Sequence, residues 1–294
     1  MTDDLPPTEA TNPRTAGLDQ LDTRALVETL VSDHRAAVDA VLAQSDTLAR
    51  VADAIAERLA RGGRLHYVGA GSSGRIATLD ASEMPPTFGT ASHLVQAHVA
   101  GGLPALVNAI EGAEDDSAAG DALARERCAP EDAVVGLSAS GGAAFVVAAV
   151  KRARAMGALT IAFTSVVDSA LARAAEICVA FDTGAEALAG STRLKAGTGQ
   201  KIALNALSTA VMVRLGKVHG NLMVDVVASN QKLRRRALRL VCEVAGVGEE
   251  RARELLDAAG GRVKVAIVME RRGVDAQKAQ ELLGASGGVL RDLI

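Results

Sequence analysis

The pattern of apolar and polar positions changes from a helical to a strand-like period after the first 60 residues. Between Leu21 and Ala60, apolar residues recur every three or four positions, which predicts two helices that end at the pair Gly62-Gly63. Short β-rich runs then follow at Arg64–Val68, His93–Val99, Ala133–Leu137, Leu159–Thr164 and Ile177–Phe181. Helical runs separate them at Gly74–Ser82, Leu103–Gly112, Gly141–Met156 and Ser169–Ala175. This alternation predicts an α/β fold in which helices cover both faces of a five-stranded parallel sheet.

The period changes again after Gly190. Residues 197–215 have the pattern of one long helix whose apolar face suits packing against the sheet domain. Four further helical segments, separated by glycines, follow at Ala237–Ala245, Glu249–Ala258, Val263–Arg271 and Asp275–Leu283. We therefore predict an N-terminal arm over residues 1–20, a sheet domain over residues 21–233 and a small all-helical C-terminal domain over residues 234–294.

Charge and composition narrow the classes of partner. Of 294 residues, 32 are Lys or Arg and 35 are Asp or Glu, so the formal net charge is -3, and aromatic residues make up 2%. The chain thus lacks the basic face and the stacking aromatics typical of nucleic-acid binding, and no apolar run approaches the ~18 residues of a membrane span. Cys128, Cys178 and Cys242 lie far apart, and the acidic, Pro-containing N-terminus is unlike a signal peptide. We expect a soluble, cytoplasmic protein with reduced thiols.

Two loops rich in Gly and Ser follow strands of the predicted sheet. Residues 69–74 (GAGSSG) satisfy the GxGxxG pattern of dinucleotide-binding folds, but the next strand ends at His98–Gly102 without the acidic residue that would bind a ribose. Gly71, Ser72 and Ser73 instead suit a phosphate monoester, bound by hydroxyls and by helix N-terminal amides. A tight turn without any ligand is the alternative.

The second loop, SASGG, supplies Ser138 and Ser140 at the end of another strand. Because parallel strands present their carboxyl ends at one edge of a sheet, we expect both loops to converge on one anion, and a sugar phosphate fits. A third polar stretch, Gly190–Lys201, opens the long helix and adds Ser191 and Lys195 as candidate ligands. A capped, charged helix start without a ligand is the alternative for this stretch.

Carboxylates follow the elements that adjoin the first loop. Glu83 precedes Pro85 and Pro86, which we expect to end the helix that follows the first loop, and Glu114 lies in the acidic run 111–116. In the alternative interpretation each is a solvated surface residue. Two carboxylates across one sugar can divide acid and base roles when their environments separate their pKa values. The five histidines show neither metal-ligand spacing nor a neighbouring nucleophile, so we expect no metal and no catalytic triad.

Together these motifs resemble the sugar isomerase (SIS) domain superfamily and, within it, the N-acetylmuramic acid 6-phosphate etherases. The resemblance covers nearly the whole chain and rests on residues 8–19, 67–75, 79–89, 109–116, 191–201 and 216–233. It implies a SIS-type doubly wound parallel five-stranded sheet flanked by helices, followed by a small all-helical C-terminal domain. It also implies a homodimer that pairs through the sheet domains, with sites that can be shared across the interface.

The family resemblance also implies a reaction. These etherases cleave the D-lactyl ether of N-acetylmuramic acid 6-phosphate to N-acetylglucosamine 6-phosphate and D-lactate, in peptidoglycan recycling, without metal or cofactor. The resemblance implies that Glu83 is the acid serving the departing lactate and that Glu114 is the partner base. In the open-chain sugar the C2 proton is acidified by the C1 aldehyde, so its removal can expel lactate from C3, and water then adds at C3.

The second loop departs from the family pattern. Where such etherases continue Ser-Gly-Arg-Thr-Pro-Tyr, this chain continues from Ser140 as SGGAAF, without the Arg, the hydroxyl or the Pro. We therefore expect weaker phosphate binding or altered substrate use at this loop. The departure favours a non-catalytic sugar phosphate sensor, as in glucokinase regulatory proteins, whereas the presence of Glu83 and Glu114 favours the enzyme. Aldose–ketose isomerisation is a third alternative, which the match at residues 79–89 disfavours.

Overall fold

The computed structural model describes residues 6–226 and 231–294, and a five-stranded sheet lies at the centre of its first part. The strands are β1 (Leu65–Gly69), β2 (Val95–Val99), β3 (Ala133–Leu137), β4 (Leu159–Thr164) and β5 (Ile177–Ala180). All neighbouring strands are parallel, and their spatial order is β2-β1-β3-β4-β5. Leu65 pairs in register with Val95 on one side and with Ala133 on the other. The order reverses between β1 and β3, which creates a ligand-binding switch point at the carboxyl edge of the sheet.

Burial of the strands explains their composition. Every residue of β1, β3 and β4 is buried, whereas β2 and β5 at the edges are only partly buried. Helices on both faces require such continuous apolar runs rather than alternation of apolar and polar residues. Phe163 of β4 meets Phe181 edge to face, with ring centroids 5.8 Å apart. The doubly wound α/β sheet that the sequence predicted is confirmed.

The segment from residue 21 to residue 60 forms three helices rather than the predicted two. The helices up to residue 214 are α1 (Thr23–Asp33), α2 (Arg35–Leu42), α3 (Ser45–Ala60), α4 (Gly71–Phe88), α5 (Ser117–Arg127), α6 (Ala144–Ala155), α7 (Ala170–Ala174) and α8 (Lys195–Arg214). The Asp22 side chain caps α1 by accepting a hydrogen bond from Ala25 N at 2.8 Å. The break before α3 allows that helix to turn its own apolar face, including Val51 and Ile55, into the core.

The helix predicted over Leu103–Gly112 is wrong. This segment begins as a short 3-10 helix, Leu103–Leu106, continues as a loop, and is followed by a second 3-10 helix at Ala113–Asp115. Leu103 and Val107 are 80% and 84% exposed, so a longer helix here would have no apolar face to bury. The loop carries the acidic run at the carboxyl edge of the sheet.

The expectation that Pro85 and Pro86 end the helix after the first loop is also wrong, because α4 continues to Phe88. A Pro inside a helix costs about 3 kcal/mol. Met84 and Phe88 are both buried, and burial of their side chains on the last turn offsets part of that cost. Glu83 therefore lies within a helix rather than at its end.

The chain groups into two compact units. The first comprises Met1–Ser82 and His93–Ser208, and the second comprises Glu83–Ser92 and Thr209–Ile294. The last boundary between the two units lies between Ser208 and Thr209, within α8, whereas the sequence predicts a domain boundary after residue 233. The hairpin strands β6 (Val218–His219) and β7 (Leu222–Met223) accordingly group with the C-terminal helices. Residues 1–5 of the predicted arm and residues 227–230 of the 216–233 motif lie outside the described residues.

The second unit is mainly helical, as predicted. Its helices after the hairpin are α9 (Gln231–Ala245), α10 (Glu249–Ala258), α11 (Val263–Arg272) and α12 (Ala276–Ala285). Val241, Leu255 and Ile267 share one apolar core, and Gly246 and Gly273 follow their helices with φ of +77° and +63°. None of the helices within residues 6–226 and 231–294 combines the length and apolar character needed to span a membrane.

The close packing of α5 on α6 leaves no room for a side chain at Gly120. A Cβ atom at this position would overlap the backbone oxygen of Phe145, which cannot rotate away. We expect Gly120→Ala to lower the free energy of unfolding in urea by about 1–3 kcal/mol. Gly284→Ala, in α12, is the matched control, because a Cβ there meets open space. The control should gain about 0.5–1 kcal/mol from the lower flexibility of the unfolded chain. Equal effects of both substitutions would contradict the packing argument.

Candidate functional site

Three of the loops that leave the carboxyl edge of the sheet lead to the segments predicted to bind phosphate, and they follow the strands β1, β3 and β5. The first leads from Gly69 to α4, the second from Leu137 to α6 and the third from Ala180 to α8. Because all five strands are parallel, these loops lie at the same edge. The segments that were predicted to bind phosphate therefore begin at the same edge of the sheet.

The first loop is a tight turn from β1 into α4. A Cβ at Gly69 would lie 2.7 Å from Gly74 N, and one at Gly74 would lie 2.6 Å from Val99 Cγ2, so both glycines serve close packing of the helix on the strands. Gly71 opens α4 with φ of +51°. Ser72 and Ser73 occupy the first turn, where helix N-terminal amides favour an anion.

The second loop keeps its turn although it departs from the family pattern. Gly141 has φ of +68°, and a Cβ there would overlap Ser169 Oγ, so only glycine fits. Ser138 is buried, whereas Ser140 is exposed and its Oγ accepts a hydrogen bond from Gly142 N at 3.3 Å. Ala143 is the residue before α6, and the start of α6 therefore has no side-chain cap.

A pocket of about 210 Å³ lies at the carboxyl edge beside the first loop and brings Gly71 together with Glu114. Its other lining residues are Ala70, Arg75, Ala100, Ala105, Asn108, Ala109, Ile110, Glu111, Gly112 and Ala113. Arg75 donates to Leu106 O at 3.1 Å and to Asn108 O at 2.9 Å, which fixes the loop before Glu114 to α4. Sequence reasoning did not assign Arg75, although it ends the quoted motif 67–75.

The remaining predicted site residues do not line this pocket. They are Ser72, Ser73, Glu83, Ser138, Ser140, Ser191 and Lys195. Glu83 is exposed on α4, twelve residues after Gly71, and groups with the second unit. Their assignments as ligand or catalytic residues stay predictions.

The third loop leads into α8 through a buried polar network. Lys195 is 1% exposed, and its Nζ lies 3.0 Å from Asp33 Oδ2, so this ammonium is paired inside the protein. Glu186, also 1% exposed, accepts from Lys195 N at 3.0 Å and from Ala196 N at 2.9 Å, which caps the start of α8. Ser191 is half-buried between these contacts.

Asp80 is a buried carboxylate that sequence reasoning missed. It accepts hydrogen bonds from the hydroxyl of Tyr67 at 3.0 Å, from Asn205 Nδ2 at 2.6 Å and from Ser208 Oγ at 3.1 Å. Burial raises the pKa of Asp80 above its usual value, and these three donors oppose the rise. The contacts join α4 to β1 and α8. Its position in the quoted motif 79–89 is the signal that could have identified it.

A second polar cluster lies at the opposite, amino edge of the sheet. Asp132, just before β3, accepts from Arg64 N at 2.8 Å, from Arg64 Nη2 at 2.9 Å and from Ala129 N at 2.8 Å. Its Oδ2 also lies 3.2 Å from His66 Nε2, and His66 Nδ1 lies 3.0 Å from His98 Nε2. Burial alone would raise the pKa of Asp132, but the hydrogen bonds that Arg64 and Ala129 donate to its carboxylate lower the pKa below its usual value. The cluster therefore holds a buried carboxylate in its ionised form.

The histidines of this cluster make stability depend on pH. Burial, followed by the charge of His66, lowers the pKa of His98 from 6.5 to about 4. The folded state therefore binds fewer protons than the unfolded state, so this contribution to stability is present above pH 6.5 and is lost as the pH falls towards 4. We expect the free energy of unfolding in urea to drop by about 2 kcal/mol between pH 7 and pH 5 through His98 alone. His98→Gln should reduce this slope and His93→Gln, at an exposed position, should not; an unchanged slope in His98→Gln would refute the assignment.

Metal ligation finds no support in the part of the chain that the structure describes. No group of three or more His, Cys, Asp or Glu side chains is arranged there to hold a metal ion.

Comparison with known proteins identifies the family. Residues 47–154 match the glucokinase regulatory protein N-terminal SIS domain, and residues 111–210 match the SIS domain. An N-acetylmuramic acid 6-phosphate etherase of Symbiobacterium thermophilum is 50% identical and covers 85% of this chain and 84% of its own. The N-acetylmuramic acid 6-phosphate etherase of Streptomyces avermitilis is 49% identical, and the match covers 89% of this chain and 84% of that protein. A solved phosphoheptose isomerase from Neisseria gonorrhoeae is 17% identical, covering 64% of this chain and 97% of its own, with a TM-score of 0.48. Because about half of all positions are identical to etherases over most of both chains, this chain belongs to the N-acetylmuramic acid 6-phosphate etherase family.

Proposed function

We propose that this chain cleaves the D-lactyl ether of N-acetylmuramic acid 6-phosphate, giving N-acetylglucosamine 6-phosphate and D-lactate. The observation that carries this proposal is the identity of 47–50% with relatives named as this etherase, over 85–89% of the chain. The pocket that holds Gly71 and Glu114 at the carboxyl edge supports it. The enzyme is then a carbon–oxygen lyase that acts on an amino sugar phosphate.

The reaction proceeds by elimination and addition. In the open-chain sugar the aldehyde at C1 acidifies the proton on C2, and a carboxylate base removes this proton. The C3–O bond then breaks, and the lactate oxygen takes a proton from a carboxylic acid. Water adds to C3 of the unsaturated aldehyde and C2 regains a proton, so the net change is the addition of one water across the ether.

Two carboxyl groups serve these steps, one as the base and one as the acid. Glu114 acts as the base at C2, and its place in the pocket beside Gly71 supports this role. Glu83 acts as the acid that protonates the departing lactate. General acid–base assistance of this kind contributes about 10²–10⁴-fold for each group. The phosphate is held by the amides and hydroxyls of the loops at Ser72, Ser138 and Ser191.

The proposal includes a homodimer in which sites are shared. Four large apolar side chains stand exposed on two consecutive helices, namely Val27 and Val31 on α1 and Val38 and Leu42 on α2, between 52% and 68% exposed. Residues four apart lie on one helix face, so each helix presents an apolar pair that a second copy can cover. In this arrangement Glu83 of one copy serves the site that contains Glu114 of the other.

The proposed location is the cytoplasm. Cys128, Cys178 and Cys242 are all free, which suits a reducing compartment. Burial raises the pKa of Cys128 to about 11, so this thiol is poorly reactive.

The deciding experiment measures D-lactate after the purified chain is mixed with N-acetylmuramic acid 6-phosphate, with N-acetylglucosamine 6-phosphate as the control that lacks the ether. We expect stoichiometric D-lactate and N-acetylglucosamine 6-phosphate. In water enriched in ¹⁸O, the label should enter the C3 hydroxyl of the sugar and not the lactate. Binding of the sugar phosphate without release of lactate would instead support the sensor that the sequence left as the alternative.

A further inference from the structure

The polar N-terminal segment is bound to the sheet-containing unit rather than free. Thr8 and Asn12 are 1% and 7% exposed, although both are polar and precede the first α-helix. The sequence placed these residues in an arm outside the sheet domain. We refer to residues 8–15 (TEATNPRT) as the strap.

The strap is hydrogen-bonded to the chain that precedes α8. Asn12 Nδ2 donates to Ala185 O at 3.2 Å, and Thr15 Oγ1 donates to Ala187 O at 2.9 Å. Thr8 O accepts from Gly190 N at 3.2 Å. These three bonds are spaced along one loop and span more than 170 positions of sequence, so the strap holds the loop along its length.

The same loop contains a candidate ligand of the proposed substrate. It leaves the carboxyl edge after β5 and reaches α8 through Ser191, which follows Gly190 directly. Glu186 within the loop caps α8 by accepting from Lys195 N and Ala196 N. The loop is therefore hydrogen-bonded both to the strap and to the first turn of α8.

An ion-pair chain links the strap to the start of α8. Arg14 Nη2 lies 3.2 Å from Asp33 Oδ1, and Asp33 in turn pairs with the buried ammonium of Lys195. The exposed Arg14 adds little by itself, because its side chain is 74% exposed. The Asp33–Lys195 pair is desolvated on both sides, so it fixes the first turn of α8 relative to α1.

We propose that the strap is a positioning segment for the substrate: residues 8–15 hold the loop at 185–191 so that Ser191 is in place to bind the sugar phosphate. This inference rests on the proposed function. The strap touches no reacting atom, and its contribution is to substrate binding rather than to the chemical steps. Loss of its hydrogen bonds therefore acts on KM and leaves kcat unchanged.

The test compares Thr15→Val, which removes one hydroxyl at nearly constant shape, with Thr11→Val, the same change at an exposed strap position. We expect Thr15→Val to raise KM for N-acetylmuramic acid 6-phosphate by about 5- to 10-fold, with kcat within about twofold of the parent protein. Thr11→Val should leave KM unchanged. Asn12→Ala provides a second variant and should raise KM in the same way.

Two further measurements separate a positioning role from a purely structural one. Amide hydrogen exchange should become faster at residues 185–191 in Thr15→Val, while the melting temperature changes little. The affinity for N-acetylglucosamine 6-phosphate, measured by calorimetry, should fall by the same factor as KM rises. A lowered melting temperature with unchanged KM and unchanged affinity would overturn the proposal. If the parent protein itself releases no D-lactate, the proposed reaction fails, whereas the strap is then judged by the sugar phosphate affinity alone.

Discussion

Glu83→Gln is expected to lower kcat for D-lactate release by about 10²–10⁴-fold, because an amide cannot protonate the departing lactate. Glu114→Gln should cause a loss of similar size, since an amide cannot remove the C2 proton. Both variants keep the shape of the side chain, so the affinity for N-acetylglucosamine 6-phosphate should change less than about threefold. The measurement is the rate of D-lactate formation together with calorimetric binding.

Asp115→Asn is the matched control, because it makes the same chemical change at an exposed carboxylate next to Glu114. It should retain the parent rate. Mixed dimers of Glu83→Gln and Glu114→Gln test whether sites are shared between copies. With shared sites, each mixed dimer regains one complete site, and up to about a quarter of the parent activity should return after mixing. Full activity in either single variant would remove that residue from the mechanism.

Asp132→Ala is expected to lower the stability of the sheet-containing unit, because one buried carboxylate accepts several hydrogen bonds there. The side chain of Asp132 is fully buried, and its removal takes the acceptor from Arg64 N and Ala129 N and the partner from His66 Nε2, whereas the Arg64 guanidinium keeps its bond to Arg127 O. Each buried donor that is left without an acceptor typically costs about 1–3 kcal/mol. We expect a loss of this size in the free energy of unfolding, measured in urea at pH 7.

The neighbouring Glu131→Ala is the control, since Glu131 is exposed and should change stability by less than about 0.5 kcal/mol. Asp132 lies at the amino edge, away from the loops at the carboxyl edge. Asp132→Ala should therefore keep the parent KM at temperatures where it remains folded. A stability loss below about 1 kcal/mol would show that the cluster contributes little.

Most of the sheet was predictable from the sequence because its signal is local. The run Ala133–Leu137 is continuously apolar and ends in a Gly/Ser-rich turn, and the structure places β3 at those residues. Leu103–Gly112 was predicted wrongly because helical spacing does not reveal whether a face will be covered. The same limit applies to Pro85 and Pro86, where the helix continues and burial of Met84 and Phe88 offsets part of the cost of the two prolines.

The candidate site was predictable in part. Gly71 and Glu114 come together because they follow neighbouring parallel strands, β1 and β2, and that rule can be applied to a sequence. Arg75 was missed because its two acceptors lie more than 30 positions away along the chain. Asp80 was missed because Asn205 and Ser208, which donate to it, lie more than 120 positions away. Lys195 carries a positive charge that could bind an anion, but in the structure its ammonium pairs with Asp33.

The sequence by itself determined the strands, the Gly/Ser-rich turns and the family, because apolar periodicity, turn chemistry and long matching motifs are properties of neighbouring residues. The tertiary structure alone decided which polar groups are paired. It joined the strap to the loop before Ser191, enclosed Asp132 with Arg64 and His66, and bound Asp80 to Tyr67. The physical reason is that the energy of a buried polar group depends on the partners that folding brings to it, and these partners lie far away along the chain.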